Sequence, residues 1–155
     1  MKGIVLHHTA TNSTQVSLAI MVGLEPKGKV SCHVLIAPDG TRYVLATPET
    51  ITWHAGQSRL NERNNCNRFT VGIEFQGNTL EEPLTDAQIR SAIDYCLPIM
   101  KKYKLKEKDI VTHQQICDEF LKSHPKEKVP AKVDITPDEH ARFLRALKEH
   151  QLNPN

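Results

Sequence analysis

The sequence lacks several features that would assign a protein to a class at once. No apolar run approaches the ~20 residues of a transmembrane helix, so we expect no membrane span. The formal net charge is only +2, which is too small to predict nucleic acid or an anionic membrane as a partner. The first residues, MKGIVLHH, contain no signal-peptide core or cleavage site, which favours a cytoplasmic location but leaves a periplasmic or secreted one open.

Cysteine is also scarce. The chain has four, and none of them forms a C-x-x-C pair: Cys32, Cys66, Cys96 and Cys117. Their spacing matches neither a zinc ribbon nor a disulfide framework, so we expect reduced thiols packed in a core. The 155 residues suit one domain of ordinary size, and the hydrophobic share of 39% is typical of globular proteins. We therefore predict a single domain over residues 1–155 that acts as a monomer.

Apolar patterning predicts strands that alternate with helices. Continuous apolar runs bounded by turn residues indicate strands, and apolar residues at helical spacing indicate helices. The predicted strands are GIVLHH (3–8), two strands around the turn Pro38–Thr41, FTVGIEFQG (69–77) and DIVTHQQI (109–116), and the predicted helices begin after Ser13 or Thr14, at the capping box of Thr85 and Gln88, and at Thr136. This order favours an α/β fold with a mixed central β-sheet flanked by helices on both faces.

Two connections are long. Residues 53–68, WHAGQSRLNERNNCNR, are polar and rich in Asn and Arg. After His113 the chain runs through a loop rich in Lys and Pro before the last helix. Because long ordered loops often carry function, we expect a functional role for residues 53–68.

Three residues of metal-binding type stand at comparable places in the predicted fold. His7 ends the first strand, His113 ends the last one, and Asp134 lies just beyond. If neighbouring strands end at one rim of the sheet, these side chains can converge. Two imidazoles and one carboxylate leave a fourth tetrahedral position open, as in catalytic zinc sites. With eight histidines in the chain, a triple of this kind also arises by chance, and isolated histidines are usually structural.

Seven short motifs, taken in order, resemble one enzyme family. They are VLHHTAT, SCHVLIAPDGT, WHAG, CNRFTVGIEFQG, LTDAQ, VTHQQI and KVD. In order and spacing they resemble the type-2 N-acetylmuramoyl-L-alanine amidases, a family that includes phage amidase-lysozymes and animal peptidoglycan recognition proteins. The likeness is greatest to the AmpD-type amidases that recycle anhydro-muropeptides, and it extends over almost the whole chain.

The resemblance implies a role for five residues. His7, His113 and Asp134 match the family's three zinc ligands, which implies a Zn²⁺ site at the rim of the sheet. Glu74 matches the carboxylate that activates the zinc water, and Lys132 matches the residue that stabilises the oxyanion. The bond cut would be the amide between N-acetylmuramic acid and L-alanine. The chemistry is physically consistent, because zinc lowers the pKa of its water and a nearby carboxylate can pass the proton to the leaving amine.

Plainer alternatives stand beside these roles. Glu74 could be an ordinary strand residue, and Lys132 one more solvated lysine in KEKVPAKVD. His33 and His54 lie in family motifs, where hydrogen bonding to a ligand, groove packing and substrate contact are all open. Trp53, the only tryptophan, could form a groove wall or fill a core.

The chain departs from the AmpD-type pattern at two places. The sequence after Asp134 is IT, where the family has Pro and Gly. Asn65 stands where close relatives have an arginine, thought to meet the carboxylate of the stem peptide. Arg63 and Arg68 lie nearby in the sequence as possible substrate contacts. The stem-peptide preference therefore stays open.

Three functions remain in competition. The favoured one is zinc-dependent hydrolysis of muropeptides or peptidoglycan, acting on the 1,6-anhydro sugar if the chain works in cell-wall recycling. The alternatives are a non-catalytic peptidoglycan-binding module and a lysin or effector that cuts intact cell wall. The complete set of five matched residues favours a catalyst, because a pure binder has little need for all of them.

Overall fold

The computed structural model describes residues 1–24 and 30–153. Seven strands, four α-helices and two short 3₁₀ helices are assigned in this part of the chain. The strands are β1 (Gly3–His8), β2 (Val34–Ile36), β3 (Arg42–Val44), β4 (Arg59–Leu60), β5 (Arg63–Asn64), β6 (Thr70–Phe75) and β7 (Ile110–Thr112). The helices are α1 (Thr14–Met21), α2 (Asp86–Tyr103), α3 (His113–Ser123) and α4 (Pro137–Leu152).

Five strands form one mixed sheet in the order β3-β2-β6-β1-β7. β1 lies between β6 and β7 and pairs with both in parallel, while β2 pairs in parallel with β6 and antiparallel with β3. The hairpin of β2 and β3 turns at residues 38–41, as predicted from Pro-Asp-Gly-Thr. Strands β4 and β5 form a separate two-stranded ribbon inside residues 53–68.

Helices cover both faces of the sheet, which confirms the predicted α/β class. Alternate strand residues such as Ile4 and Leu6 share one core with buried residues of α2 and α4. On the opposite face Val5 packs in a cluster with Ile116 of α3. Met21 of α1 packs against Leu35 on that same face. The second face is the one on which His7 and Glu74 lie, since they alternate with the residues of the first core.

Local capping explains where the helices begin. Thr85 and Gln88 form the predicted capping box of α2, and the hydroxyls of Ser13 and Thr136 accept backbone N–H bonds at the starts of α1 and α4. The prediction was wrong for residues 113–123, which were taken as the end of a strand and a loop. They form helix α3, whose own capping box joins Thr112 and Gln115. The pattern T-x-x-Q was the local signal for this helix.

The structure also bears on the state of the cysteines and on the search for a membrane-spanning helix. All four cysteines are free and buried, as predicted. Burial raises the pKa of the Cys66 thiol to about 11 and that of the Cys96 thiol to about 12, so neither is a reactive thiolate at neutral pH. No helix within the described ranges is long and apolar enough to cross a membrane.

Candidate active site

Three neighbouring parallel strands bring three polar side chains to one edge of the sheet. In the register of the sheet His7 of β1 lies beside Glu74 of β6. On the other side Leu6 lies beside Thr112 of β7, so His113, the first residue of α3, follows at the level of His7. Parallel strands end at the same edge, and this is why residues more than 100 positions apart in sequence meet here.

The side chains of His7, His113 and Asp134 converge closely enough to hold one metal ion. His7 Nδ1 lies 3.2 Å from His113 Nδ1 and 3.3 Å from Asp134 Oδ2, and His113 Nδ1 lies 3.3 Å from Asp134 Oδ1. Ligands arranged tetrahedrally at about 2.0–2.1 Å from zinc are separated by roughly 3.3–3.4 Å. The spacing of these donor atoms therefore fits zinc, and so does their chemistry of two imidazoles and a carboxylate.

Asp134 reaches the site from the segment between α3 and α4. Its backbone O accepts the His113 N–H at 3.3 Å. Two residues later the Thr136 N–H donates to Thr79 Oγ1 at 3.0 Å, and the Thr79 N–H donates to His8 Nδ1 at 3.1 Å. His8 thus acts through Thr79 to anchor the segment that carries Asp134, and it is not one of the three residues that converge as ligand candidates.

The charges of the three residues are strongly coupled. Burial raises the pKa of Asp134, but its close contacts with the rings of His113 and His7 outweigh burial and hold that pKa well below its usual range. Burial lowers the pKa of His113, yet its contacts with Asp134 and Cys117 raise it overall to about 9. Burial lowers the pKa of His7. In the metal-free state, an ionised Asp134 thus faces a protonated His113, and a metal ion would replace that proton.

Glu74 is a buried carboxylate beside these residues. It is only 5% exposed, and its Oε2 has no hydrogen-bond partner among the described residues. Burial, followed by the nearby charge of Asp134, raises the pKa of Glu74 to about 8, while His113 and Lys132 oppose this rise. A buried acceptor without a protein partner is costly unless a cation or water satisfies it, so Glu74 is suited to bind water and move a proton.

The site opens into a groove with a volume of about 700 Å³. Trp53 is 53% exposed and lines it, which excludes a core role and favours the groove wall. Lys132 is exposed and also lines the groove, and its backbone N–H donates to Gln114 Oε1 at 3.2 Å. Apolar residues on both sides complete the walls: Ile20, Met21, Val30, Val129 and Pro130.

The two other motif histidines are both buried. His54 lies directly behind His7, with its Nδ1 3.0 Å from His7 Nε2. His33 lies deeper, where its Nδ1 accepts the Gly72 N–H at 2.9 Å and its Nε2–H donates to the Thr50 backbone O at 3.0 Å. His33 is 0% exposed and does not line the groove, so it stabilises the loop that carries His54.

The arginines of the long loop lie outside the groove. The Arg63 guanidinium lies over the Phe69 ring, 5.2 Å from its centre, and Arg68 is exposed. Asn65 lines an adjoining recess together with Trp53. Lys132 is the one Lys or Arg side chain among the described residues that line the main groove.

Two contributors to the site were not predicted. The Asn67 side chain accepts the backbone N–H groups of His54 and Ala55 at 2.9 and 2.8 Å. Thr70 lies beside the ring of His54. Both residues are buried, but an Asn in a polar loop and a Thr in an apolar strand carry no local signal of this role.

Comparison with known proteins matches most of the chain to one family. A family model described as N-acetylmuramoyl-L-alanine amidase matches residues 1–127. The chain is also similar to the 1,6-anhydro-N-acetylmuramyl-L-alanine amidase AmpD of Haemophilus influenzae, with 43% identity over 93 residues. That match covers 58% of this chain and 47% of the relative, so the chain spans about half the length of the curated relatives it matches.

Solved structures share the fold. The crystal structure of AMPDH3 from Pseudomonas aeruginosa superposes with a TM-score of 0.75 at 22% identity, covering 96% of this chain and 59% of that one. The amidase AmiD from E. coli, solved with anhydro-N-acetylmuramic acid-L-Ala-D-γ-Glu-L-Lys, superposes with a TM-score of 0.67 at 23% identity. This second match covers 92% of this chain and 57% of AmiD.

Proposed function

The chain belongs to the N-acetylmuramoyl-L-alanine amidase family, and from this premise we propose that it hydrolyses the amide bond between N-acetylmuramic acid and L-alanine. The observation that carries the proposal is the convergence of the donor atoms of His7, His113 and Asp134 within 4.8 Å of one another. They lie beside the buried carboxylate of Glu74, at the bottom of a groove large enough for a muropeptide.

In this proposal Nδ1 of His7, Nδ1 of His113 and a carboxylate oxygen of Asp134 hold zinc. A bound zinc ion supplies Lewis acidity, which polarises the scissile carbonyl and lowers the pKa of water. Two observations support this assignment. Among the described residues, Glu74 Oε2 and Asp134 Oδ1 have no hydrogen-bond partner, and His113 Nδ1 lies 3.3 Å from Asp134 Oδ1 only as a charge contact. The imidazoles of His7 and His113 also face each other, with their Nδ1 atoms 3.2 Å apart.

Two further residues carry the proposed chemistry. The Glu74 carboxylate takes a proton from the attacking water and returns it to the departing amine of L-alanine. Glu74 of β6 lies deep in the site, directly beside His7 of the neighbouring strand β1, and this position supports the role. The Lys132 ammonium stabilises the negative charge that develops on the carbonyl oxygen of the substrate. Its place on the groove wall, close enough to Glu74 to lower that residue's pKa, supports this second role.

We propose a muropeptide with a 1,6-anhydro sugar as the substrate, in cell-wall recycling. The similarity to AmpD of Haemophilus influenzae, whose name specifies the anhydro sugar, supports this choice. AmiD, which shares the fold, was solved with an anhydromuramyl tripeptide. We also propose that residues 1–155 act as one monomeric amidase domain in the cytoplasm. The four free, buried cysteines support a reducing compartment.

The test is mass spectrometry of anhydro-N-acetylmuramyl-tripeptide incubated with the protein. We expect free tripeptide, its loss after treatment with a chelator, and its return when zinc is restored. Glu74→Gln should keep zinc but lose turnover by about 100-fold or more, since general acid–base catalysis contributes about 10²–10⁴. Glu82→Gln is the matched control, because Glu82 is exposed and lies outside the groove.

Three outcomes would contradict parts of the proposal. Full activity of Glu74→Gln would remove the proton-transfer role. Cleavage of intact sacculi but not of the anhydro-muropeptide would favour a lysin or effector. Binding of muropeptide without any cleavage, by protein shown to contain zinc, would favour a non-catalytic binding module.

A further inference from the structure

We propose that His54 is a positioning residue that selects the tautomer of His7 and so keeps the Nδ1 lone pair of His7 facing the ligand site. The inference rests on the proposed function, because it concerns the residue to which zinc is assigned. It follows from a series of hydrogen bonds that starts at a backbone carbonyl, a group that can only accept.

The series starts at the Cys66 carbonyl. Thr70 Oγ1 donates to the Cys66 backbone O at 2.7 Å. A hydroxyl has a single proton, so Thr70 Oγ1 can only accept from His54 Nε2, which lies 3.4 Å away. His54 Nε2 therefore carries a proton. In a neutral imidazole the other nitrogen, Nδ1, is then an acceptor.

The direction of the next bond follows. His54 Nδ1 lies 3.0 Å from His7 Nε2, and because Nδ1 accepts, His7 Nε2 must donate. The proton of the neutral His7 ring is thereby held at Nε2, and Nδ1 is left with a lone pair. This Nδ1 is the atom that lies 3.2 Å from His113 Nδ1 and 3.3 Å from Asp134 Oδ2.

The ring of His54 has little freedom to leave this position. Asn67 Oδ1 accepts the backbone N–H of His54, and that of Ala55 beside it. The ring lies so close to Gly72 that a Cβ at that position would come within 2.5 Å of His54 Cγ. His54 is 5% exposed, so water does not compete strongly for its nitrogens.

This arrangement has a consequence for a metal ligand. A histidine without such a partner populates both neutral tautomers, and the tautomer with a proton on Nδ1 cannot bind a metal through that atom. The bond to His54 removes this competitor and orients the ring in advance. A neutral imidazole also adds no negative charge next to His7, unlike a carboxylate in the same place. It therefore does not reduce the positive charge that a bound metal ion would present to the substrate.

The first test reads the tautomers directly in the zinc-free protein. Long-range ¹H–¹⁵N correlation spectra of histidine rings distinguish protonation at Nε2 from protonation at Nδ1. We expect both His7 and His54 to carry the proton on Nε2. A proton on Nδ1 of His54, or on Nδ1 of His7, where Asp134 Oδ2 lies 3.3 Å away, would overturn the inference. Because this experiment needs no metal, its failure is distinct from failure of the proposed function, which would appear as a wild-type chain that neither binds zinc nor cleaves muropeptide.

The second test measures zinc affinity by competition with a chromophoric chelator. His54→Leu should weaken zinc binding by about 10–100-fold, the usual cost of removing a hydrogen-bond partner of a ligand. His54→Asn should stay within about threefold of wild type, because its Oδ1 can accept in place of Nδ1. An Asn variant that folds and binds zinc as weakly as the Leu variant would overturn the inference.

A pair of Thr70 variants keeps the inference testable if His54→Leu does not fold. Thr70→Val removes the acceptor of the His54 Nε2–H, and Thr70→Ser retains it. We expect weaker zinc binding in the Val variant only. Equal zinc affinity in the two folded variants would contradict the inference. It would show that the hydrogen bonds from the Cys66 carbonyl through Thr70 and His54 do not set the tautomer of His7.

Discussion

Gly72→Ala gives the sharpest mutational test of how the site is held, because one methyl group would push directly on His54. A Cβ at Gly72 would lie 2.5 Å from His54 Cγ, 2.7 Å from Nδ1 and 2.8 Å from Cδ2, whereas ordinary contact begins at 3.4 Å. To regain ordinary contact the ring would have to retreat by the difference, 0.9 Å. A movement of this size is enough to break the 3.0 Å bond between His54 Nδ1 and His7 Nε2, since hydrogen bonds are lost beyond about 3.5 Å.

Two effects of Gly72→Ala are expected and can be measured separately. Overpacking should lower the free energy of unfolding by about 1–3 kcal/mol, measured by denaturant titration. The lost bond to His7 should weaken zinc binding by about 10–100-fold, measured by chelator competition on the folded variant.

Gly3→Ala is the matched control for this prediction. A Cβ at Gly3 would lie 2.7 Å from Leu60 Cδ2 and 3.0 Å from the Asp109 backbone O, so it is also overpacked. Gly3 lies in β1, four residues before His7, and does not line the groove. The control should lose stability and keep zinc affinity. A folded Gly72→Ala protein that binds zinc as tightly as wild type would show that the position of the His54 ring does not control zinc binding.

Two further predictions concern the anchor of Asp134 and the response to pH. Thr79→Val removes the oxygen that accepts the Thr136 N–H, so it should weaken zinc binding and lower the free energy of unfolding by about 1 kcal/mol. The control Thr47→Val, at an exposed pair of hydroxyls, should change neither quantity. Unchanged zinc affinity in Thr79→Val would show that Thr79 does not help to position Asp134. Burial lowers the pKa of His33 from 6.5, so below pH 6.5 the unfolded chain takes up a proton that the folded chain resists. The stability that neutral His33 contributes is complete above pH 6.5 and is lost as the pH falls from there toward the lower folded pKa. The difference in unfolding free energy between wild type and His33→Asn should therefore shrink on acidification, by at most about 1.4 kcal/mol per pH unit; a pH-independent difference would contradict the assignment.

Much of the fold could be predicted because its signals are local. The turn at Pro38–Thr41, the capping box of Thr85 and Gln88 and the cap at Thr136 each depend on neighbours within four residues. The helix after His113 was missed even though its capping box is local as well. In that case the apolar run before His113 outweighed the T-x-x-Q signal.

The residue types of the candidate site and the strands that carry His7 and Glu74 could be predicted from the sequence alone. Which of these residues come into contact depends on the three-dimensional packing of the strands. The order β6-β1-β7 sets Glu74, His7 and His113 side by side, and this order depends on long-range packing of the sheet against its helices. Tertiary packing also directed Arg63 onto Phe69 and His54 onto His7. The physical reason is that hydrophobic periodicity specifies which face of a strand is buried, whereas neither the neighbour of a strand nor the target of a loop side chain is encoded in any local window of sequence.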